Sequence, residues 1–460
     1  MTRMLTCISP IDGSVVAERD VMDADRIADL LARARAAQAE WAARPLEERI
    51  AVVMAGVDVL CADAEAVPEL ARMMGRPTRY GGEFGGVRER ADYCAEIAAT
   101  ALAPHVVEES DRFERRIVRD PHGIVFVIAP WNYPYLTSTN VIVPALIAGN
   151  AVAVKPATQT LLTGERMAAA FVAGGLPADL MPVLYLDHDG TEAAIAAGSF
   201  DFVNFTGSVR GGRAIERAAA GTFTGTGLEL GGKDPGYVMD DADLNAAAAT
   251  LIDAAIYNSG QCCCGIERIY VARPHYDAFV AKAADLARAY VLGDPMEEGT
   301  TMGPVANASV AKGVRDQVAQ AVSMGARTHV DPALFPADDG AGQYVAPQIV
   351  TDVTHDMDLM REENFGPVVG IMPVDDDDEA VRLMNDSAYG LTASLWTRDA
   401  DRAARIGGRL DTGTVFMNRA DYLDPGLCWT GRKDTGRGAS LSVLGFHALT
   451  QPKSFHLKKG

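Results

Sequence analysis

The 460-residue chain lacks the features that mark several classes of protein. No apolar run approaches the ~18 residues that a membrane-spanning helix needs, and the first residues lack the charged and apolar regions of a secretory signal. Basic residues number 42 against 62 acidic ones, so the net charge is −20. A field of that sign repels nucleic acids and anionic lipid surfaces, and we expect neither as a partner.

Cysteine and histidine are scarce. The seven cysteines are an odd number, and three of them are consecutive at Cys262, Cys263 and Cys264. Because disulfide frameworks use spaced pairs, this usage predicts free thiols in a reducing, cytoplasmic compartment. The chain has no CxxC or HxxxH pair, and its eight histidines do not cluster. Adjacent cysteines converge poorly on one ion, so we expect no metal site.

The sequence does contain the alternation that is typical of α/β domains. Hydrophobic residues make up 48% of the chain and charged residues 23%, as in ordinary globular proteins. Helical periodicity is present near residues 24–40, 47–62 and 85–101. From Gly123 to about Gly231 apolar runs alternate with helical segments, and a second alternation follows, which predicts two doubly wound α/β domains. The apolar runs of the first alternation are IVFVIAP, AVAVKP, PVLYL and FVNFTG.

Further strands are predicted outside these alternations. Residues 113–118 and 123–128 flank the turn-like segment Asp120-Pro-His-Gly, which predicts two strands joined by a turn. The segment LTQPKSFHL near the end of the chain also has the composition of a strand. Because it lies outside both sheets, it is available to pair with another element.

The segment most informative about chemistry is YNSGQCCCGIER, which spans residues 257–268 between a predicted helix and a predicted strand. Considered alone, its cysteines could be core packing or half of a metal site. Four other motifs change that balance. They are PWNYP at 130–134, FTGS at 205–208, LELGGKDP at 228–235 and EENFGP at 362–367.

Together these motifs resemble those of the aldehyde dehydrogenase family. Their order and spacing, with the closing GTVFMN and KDTGRG segments, agree over roughly residues 120–456. The resemblance implies an aldehyde dehydrogenase-like α/β fold with a cofactor domain, a catalytic domain and a small β oligomerisation arm. The expected ranges are 1–112 and 129–230 for the dinucleotide-binding domain, 231–425 for the catalytic domain, and 113–128 with 445–460 for the arm.

The resemblance also implies a reaction. Cys263, the middle cysteine, is expected to add to an aldehyde carbonyl and form a thiohemiacetal, because a thiolate is a strong nucleophile. The side chain of Asn132 and the backbone N–H of Cys263 would stabilise the oxyanion. Transfer of a hydride to NAD or NADP then leaves a thioester. Water activated by Glu229 as general base would hydrolyse that thioester to a carboxylic acid.

The cofactor site is implied by the same motifs. In this family the residue matching Glu363 accepts hydrogen bonds from the nicotinamide ribose, the one matching Phe365 packs beside the nicotinamide ring, and the one matching Lys155 reaches the adenosine ribose. Gly207 and Ser208 stand at a strand-to-helix turn, where backbone N–H groups and a hydroxyl can approach the pyrophosphate. The implied set is Lys155, Thr158, Gly207, Ser208, Glu363, Phe365 and Trp131.

Thr158 departs from the pattern of many NAD-preferring members. Those members carry Glu three residues after the lysine that matches Lys155, and its carboxylate grips both ribose hydroxyls. A carboxylate there would repel a 2′-phosphate, whereas the Thr158 hydroxyl can donate to it beside the lysine cation. We expect NADP to be accepted, and a neutral residue gives no reason for NAD to be refused.

The substrate pocket is implied less sharply. Asn140 stands where members that act on apolar aldehydes often carry an aromatic residue, which favours a small polar aldehyde or semialdehyde. Arg419 directly follows the GTVFMN segment, and a surface or subunit-interface role suits it as well as a substrate role. The implied lining residues are Tyr133, Leu136, Asn140, Cys262, Arg419, Tyr422 and Trp429.

Two other functions stay open beside this one. A CoA-acylating aldehyde dehydrogenase would use CoA in place of water, but such members commonly lack a glutamate at the place of Glu229. A catalytically silent structural homologue would have lost Cys263, Glu229 or Asn132, and all three are present. The exposed strand edges of the arm predict a homodimer or a homotetramer.

Overall fold

Helices and strands alternate along most of the chain in the computed structural model, which describes residues 3–460. Residues 1 and 2 of the expected dinucleotide-binding domain lie outside the described residues. The helices are α1 Ala24–Ala42, α2 Leu46–Cys61, α3 Ala66–Met74, α4 Phe84–Ala101, α5 Pro134–Ala148, α6 Leu162–Ala173, α7 His188–Ala196, α8 Val209–Ala219, α9 Leu244–Ile256, α10 Tyr276–Arg288, α11 Ala308–Ser323, α12 Asp358–Arg361, α13 Asp377–Asn385, α14 Ala400–Gly407 and α15 Ser442–Ala448.

The strands belong to five sheets within the described part of the chain. They are β1 Met4–Ile8, β2 Val15–Asp20, β3 His105–Glu109, β4 Phe113–Pro121, β5 Ile124–Ile128, β6 Ala151–Lys155, β7 Phe202–Thr206, β8 Gly225–Glu229, β9 Asp234–Val238, β10 Ile266–Ala272, β11 Arg327–Thr328, β12 Gln348–Thr351, β13 Val368–Val374, β14 Tyr389–Gly390, β15 Thr392–Trp396, β16 Thr414–Met417, β17 Arg432–Lys433, β18 Gly436–Arg437 and β19 Thr450–Lys458. The three helices predicted in the opening segment are confirmed as α1, α2 and α4.

A five-stranded sheet of order β18-β8-β7-β5-β6 organises the first α/β alternation. Its strands β5, β6, β7 and β8 run parallel, and only the short β18 is antiparallel. Every residue of β5 and β6 is buried, as expected for parallel strands that carry helices on both faces. Because β18 comes from the C-terminal part of the chain, that part is brought back onto the first sheet.

A seven-stranded sheet of order β11-β12-β13-β10-β9-β15-β16 organises the second alternation. Neighbouring residues of its central strands point to opposite faces. Tyr237 and Tyr270 belong to one apolar cluster, and Val238 and Ile269 belong to another. Two separate apolar layers therefore cover this sheet, and the prediction of two doubly wound α/β units is confirmed.

The strands on either side of Asp120-Pro-His-Gly do not form the predicted hairpin. β4 pairs antiparallel with β19 and β3, whereas β5 lies between β6 and β7 in the five-stranded sheet. The side chains explain the difference, because IVFVI is apolar on both faces, whereas β4 (FERRIVRDP) mixes charged with apolar residues and none of its residues is fully buried. The expected assignment of 124–128 to the arm is therefore wrong, and β3, which the sequence did not predict, joins β4 and β19.

One further strand prediction fails. The run PVLYL makes a single bridge, between Val183 and Val154, beside the edge strand β6. Its backbone is bonded there through Pro182 and Leu184, on either side of the bridge. In sequence, an apolar run that meets a sheet only at its edge has the same pattern as a buried strand.

None of the helices in residues 3–460 is both long and apolar enough to cross a bilayer.

Candidate active site

The three consecutive cysteines lie in a tight turn between α9 and β10. The chain leaves α9 through Asn258 and Ser259, whose φ angles of 54° and 57° are left-handed. Gly260 follows with φ of 72°, and a Cβ there would collide with the backbone of Gly366. Asn258, Ser259 and Gly260 therefore form a left-handed turn between the end of α9 and the cysteines.

The three thiols gather in this turn. Their sulfur atoms all lie within 4.8 Å of one another, with Cys262 and Cys264 buried and Cys263 partly accessible. The Cys262 and Cys264 thiols both donate to Oδ1 of Asp421, at 3.1 and 3.0 Å. The sulfur atoms of these adjacent cysteines therefore do converge, because the tight turn brings them together. That no metal binds there stays a prediction.

Hydrogen bonding separates Cys263 from its neighbours. The neighbouring thiols of Cys262 and Cys264 lower the pKa of the Cys263 thiol below its ordinary value. Burial raises the pKa of the Asp421 carboxyl well above its usual range. Of the three sulfurs, the accessible one thus carries the thiolate most readily, which is the form that attacks an electrophile.

The amide of Asn132 lies against the same turn. Its Nδ2 donates to the carbonyl of Gln261 at 3.2 Å, and the backbone carbonyl of Asn132 accepts from the guanidinium of Arg76. Arg76 is held in turn by an ion pair with Glu83 at 2.8 Å and by Oδ1 of Asn258 at 3.1 Å. A buried charged network therefore ties the start of α5 to the cysteine turn.

Glu229 ends β8, beside the antiparallel β18. Its Oε1 accepts from the Ser440 hydroxyl. Burial raises the pKa of the Glu229 carboxyl, and the bond from Ser440 opposes that rise. The loop that follows Glu229 lies against the cysteine turn at Gly232. The approach is so close that a Cβ on Gly232 would collide with the carbonyl of Cys263. The motifs LELGGKDP and QCCCG are thus in direct contact.

The residues expected to line the substrate pocket separate into two groups. Tyr133, Cys262 and Trp429 pack in one apolar cluster with Cys263 and Leu423. Tyr133 also faces the guanidinium of Arg76, 4.4 Å from its ring centroid.

The second group makes its contacts outside that cluster. The side chain of Leu136 abuts Gly86 on α4. Asn140 is fully buried and accepts from Arg90 at 2.8 Å. Arg419 is exposed and stacks on Tyr422, with 3.5 Å between the guanidinium carbon and the ring centroid. These contacts place Arg419 at the surface.

Lys155 and Thr158 lie at the carboxyl end of β6. Lys155 is 8% exposed, and its Nζ makes no hydrogen bond within residues 3–460. Burial lowers the pKa of the Lys155 ammonium to about 8. Thr158 is exposed at the start of the next turn. A buried cation without a partner beside an exposed hydroxyl fits an anionic ligand.

Gly207 and Ser208 join β7 to α8. The Gly207 N–H donates to the carbonyl of Glu229 at 3.0 Å, so it is not free for a pyrophosphate, contrary to the expectation. Ser208 caps α8 by accepting from Gly211 at 3.2 Å, which leaves its hydroxyl proton available. The N-terminus of α8 and the Ser208 hydroxyl remain as donors for an anion.

The EENFGP segment faces the LELGGK loop. Oε1 of Glu363 accepts from Gly232 at 3.0 Å, and burial, with the nearby charge of Glu267, raises the pKa of Glu363 to about 8. Phe365 adopts a φ of 53°, and its ring lies edge-on to Trp131 with centroids 5.4 Å apart. These residues form one wall, and they fit the ribose and ring of a dinucleotide.

Several residues that hold the site were not identified from the sequence. Lys233 and Glu267 form a buried ion pair of 2.6 Å, and Glu267 also accepts from the backbone of Phe365. Arg76 and Asp421 likewise hold the cysteine turn. Glu267 stands within YNSGQCCCGIER and Asp421 beside Tyr422, so proximity to a motif was the available signal for both.

Comparisons with known proteins agree with this arrangement. The family model described as "Aldehyde dehydrogenase family" matches residues 1–455. Vanillin dehydrogenase of Corynebacterium glutamicum is 34% identical, over 95% of this chain and 90% of its own length. Succinate-semialdehyde dehydrogenase [NADP(+)] of Deinococcus radiodurans is 32% identical, over 98% and 94%. The structure of succinic semialdehyde dehydrogenase from Streptococcus pyogenes in complex with NADP+ superposes with a TM-score of 0.92 at 28% identity, covering 99% of this chain and 100% of that one.

The fold and these matches define a nicotinamide-dependent oxidoreductase. The chain belongs to the aldehyde dehydrogenase family, and it is an NAD(P)-dependent aldehyde dehydrogenase. Hydrolytic oxidation of an aldehyde to a carboxylic acid accords with these relatives, and the CoA-acylating alternative is not favoured.

Proposed function

We propose that Cys263, Glu229 and Asn132 carry out this oxidation. The observation that carries the proposal is the turn at Cys263, where one accessible thiol of lowered pKa lies beside two buried thiols and against the loop that follows Glu229. The thiolate adds to the aldehyde carbon and forms a thiohemiacetal. The electron pair of the carbonyl moves to oxygen, which becomes an oxyanion.

Two donors are placed for that oxyanion. The Cys263 N–H has no acceptor among the described residues, and Nδ2 of Asn132 has a second proton beyond the one bonded to Gln261. Arg76 and Glu83 hold the backbone of Asn132 in place, so the donors are arranged before substrate arrives. When bound, NAD(P)+ supplies the acceptor for the hydride that leaves the thiohemiacetal carbon.

Loss of the hydride leaves an acyl thioester on Cys263. Glu229 removes a proton from water, the hydroxide attacks the thioester carbonyl, and the thiolate leaves with the electron pair of the C–S bond. The sum is aldehyde, water and NAD(P)+ to carboxylate, NAD(P)H and two protons. Ser440 orients the carboxylate of Glu229 for this step.

The dinucleotide is proposed to lie along the carboxyl edges of β6 and β7. Lys155 and Thr158 would face the adenosine ribose, which supports acceptance of NADP as well as NAD. The Ser208 hydroxyl at the N-terminus of α8 would face the pyrophosphate. Glu363, Phe365 and Trp131 would hold the nicotinamide ribose and ring, and Gly207 contributes by the close turn and not by its N–H.

We infer a small polar aldehyde or semialdehyde as substrate. Tyr133, Cys262 and Trp429 would line the wall beside the nucleophile, and the polar Asn140 lies farther along α5. One relative is named for succinate semialdehyde. Leu136 and Tyr422 are proposed as more distant lining residues, and Arg419, which is exposed on Tyr422, as a residue of the pocket mouth.

The proposed domain ranges assign β5 to the dinucleotide-binding domain, because β5 pairs within the five-stranded sheet. Residues 3–104 with 123–230 would form the dinucleotide-binding domain, 231–425 the catalytic domain, and β3, β4 and β19 the arm. The arm presents β3 and β19 as the outer strands of its sheet. Such edges favour pairing with another chain, which supports a homodimer or homotetramer. Free cysteines throughout the chain support a cytoplasmic location.

A panel of aldehydes, each incubated with NAD and with NADP, tests the activity through the absorbance of the reduced nicotinamide. We expect oxidation of polar aldehydes with either dinucleotide, without a requirement for CoA. Formation of acyl-CoA in stoichiometric amounts, or the absence of oxidation across the panel, contradicts the proposal.

A further inference from the structure

Buried cations that lack an anionic partner are rare, because moving a charge out of water costs several kcal/mol unless it is paired. Within the described chain, the buried lysines and arginines are Arg76, Arg90, Lys155, Lys233 and Arg268. A buried cation whose N–H groups are all bonded within the protein has a structural role, whereas one with N–H groups left over is available to a ligand.

Three of these cations are satisfied by the protein. Arg76 pairs with Glu83, and Lys233 pairs with Glu267. Arg268 donates to four backbone carbonyls and to a tyrosine hydroxyl. Lys155 lies in the proposed cofactor site.

Arg90 remains, and it is 6% exposed. Its Nη1 donates to Oδ1 of Asn140 at 2.8 Å and to the carbonyl of Leu136 at 3.3 Å, and both acceptors are neutral. Its Nη2 and Nε donate to no acceptor within residues 3–460, and it forms no ion pair there.

Asn140 adds a second unsatisfied donor at the same place. Its Nδ2 is buried and has no hydrogen-bond partner. Because Oδ1 and Nδ2 share one carbon, the bond from Arg90 to Oδ1 puts the free NH₂ beside the guanidinium. Two neighbouring groups, one cationic and one neutral, thus offer N–H donors without acceptors, a combination that suits a carboxylate.

This donor pair lies near the proposed chemistry. Arg90 is in the middle of α4 and Asn140 is on α5, the helix whose start carries Asn132. Asn140 and Ser440 line one cavity, and the Ser440 hydroxyl donates to Glu229, the proposed general base. A molecule whose anion binds Arg90 and Asn140 would therefore approach the group that acts on the Cys263 thioester.

We propose that Arg90 and the Asn140 amide bind a carboxylate on the substrate, so that the preferred aldehydes carry a carboxylate at the end opposite the carbonyl. This inference rests on the proposed function and narrows its substrate class. The carboxylate accepts from the guanidinium and from the amide, and it neutralises a charge that the protein leaves unpaired. An uncharged aldehyde of the same length gains none of these bonds.

The test compares matched substrates. The ω-oxo carboxylates 3-oxopropanoate, 4-oxobutanoate and 5-oxopentanoate are each measured against their methyl esters, in the wild-type enzyme and in Arg90→Gln and Arg90→Lys. We expect the best carboxylate to exceed its ester in kcat/KM, and the carboxylate-to-ester ratio to fall by about 10- to 100-fold in Arg90→Gln. Arg90→Lys keeps the positive charge but loses the paired N–H groups of the guanidinium, so its carboxylate-to-ester ratio should be intermediate.

Arg88→Gln is the matched control, because Arg88 lies on the same helix and forms its ion pairs with Asp58 and Asp92. It should keep the wild-type ratio. A carboxylate-to-ester ratio that Arg90→Gln leaves unchanged overturns the proposal. Equal losses of kcat/KM on carboxylate and ester also overturn it, because they would show that Arg90 only positions other residues.

A readout that does not depend on turnover separates this inference from the proposed function. Succinate, as an unreactive dicarboxylate probe, should protect Cys263 from iodoacetamide in the wild-type enzyme and not in Arg90→Gln, with the labelled cysteine located by peptide mapping. Protection of equal strength in both proteins, or protection in neither, contradicts the carboxylate site. If no aldehyde is oxidised while succinate protects only the wild-type thiol, the proposed function fails and the anion site stands.

Discussion

The pH dependence of NADP use should follow the ionisation of Lys155. This ammonium is buried and lacks a hydrogen-bond partner among the described residues, and burial lowers its pKa to about 8. Below that pH the lysine is protonated and attracts a 2′-phosphate. Above it the lysine is neutral, and the attraction is lost.

The size of the effect follows from the titration. About nine-tenths of a group with a pKa of 8 is protonated at pH 7 and about one-tenth at pH 9, a roughly tenfold change in the charged form. Because kcat/KM reports groups in the free enzyme, kcat/KM for NADP divided by that for NAD should fall about tenfold over this range. The ratio removes pH effects on the chemical step that both cofactors share.

The assay measures initial rates with each dinucleotide at saturating aldehyde from pH 6.5 to 9.5 and constant ionic strength. Lys155→Arg is the matched control, since its guanidinium stays charged over the whole range and should give a flat ratio. A wild-type ratio that stays flat, or one that falls equally in Lys155→Arg, refutes the assignment of Lys155 to the adenosine ribose.

Three other variants test separate parts of the account. Glu229→Gln should keep the first burst of NAD(P)H and slow steady-state turnover by about 10²- to 10⁴-fold, because only water activation is impaired; rapid-mixing absorbance checks this, and equal loss of both phases contradicts it. Thr158→Glu should lower the ratio of kcat/KM for NADP to kcat/KM for NAD by a factor that corresponds to about 1–3 kcal/mol of binding free energy, because a carboxylate would face the 2′-phosphate. An unchanged ratio at low ionic strength contradicts this prediction. Arg76→Met should cost about 3–5 kcal/mol in unfolding free energy, since it strands Glu83. Denaturant unfolding measures that loss, which Arg76→Met with Glu83→Leu should partly restore; no loss in the single variant contradicts the role of the pair.

The sequence was sufficient for elements with a local signal. The spacing of Ile27, Leu30, Leu31 and Ala34 predicted α1, and in the structure all of them are buried except Leu30, which is partly exposed. The motifs likewise predicted that the LELGGKDP and QCCCG segments act together, and the structure brings them into contact at Gly232. In each case the information lies within a few neighbouring residues or in a motif of fixed spacing.

Pairing between strands could not be predicted in the same way. The segment Asp120-Pro-His-Gly has the composition of a turn, and nothing local states that β4 and β5 join different sheets. Only the apolar character of β5 on both faces pointed to a parallel sheet. The partner of β4 is β19, more than 300 residues away, and its register depends on contacts that no local pattern contains.

The buried charges illustrate a second limit. Arg90 stands in the sequence Arg-Glu-Arg, which is typical of an exposed helix face. Its phase relative to Val87, Ala91 and Cys94, which are all buried, was a usable signal. No comparable pattern marks Arg76, whose partners Glu83, Asn132 and Asn258 come together only in the folded chain.

The central claim is that Cys263 forms the covalent bond to the substrate. In Glu229→Gln, which should hydrolyse the thioester slowly, aldehyde with NAD(P)+ is expected to leave one acyl group per chain. Intact-mass measurement with peptide mapping should locate that group on Cys263. Cys263→Ala should show neither the acyl group nor turnover, while Cys428→Ala, which removes a thiol outside the turn, should behave as the wild type. An acyl group on Cys262, or turnover that persists in Cys263→Ala, would contradict the account.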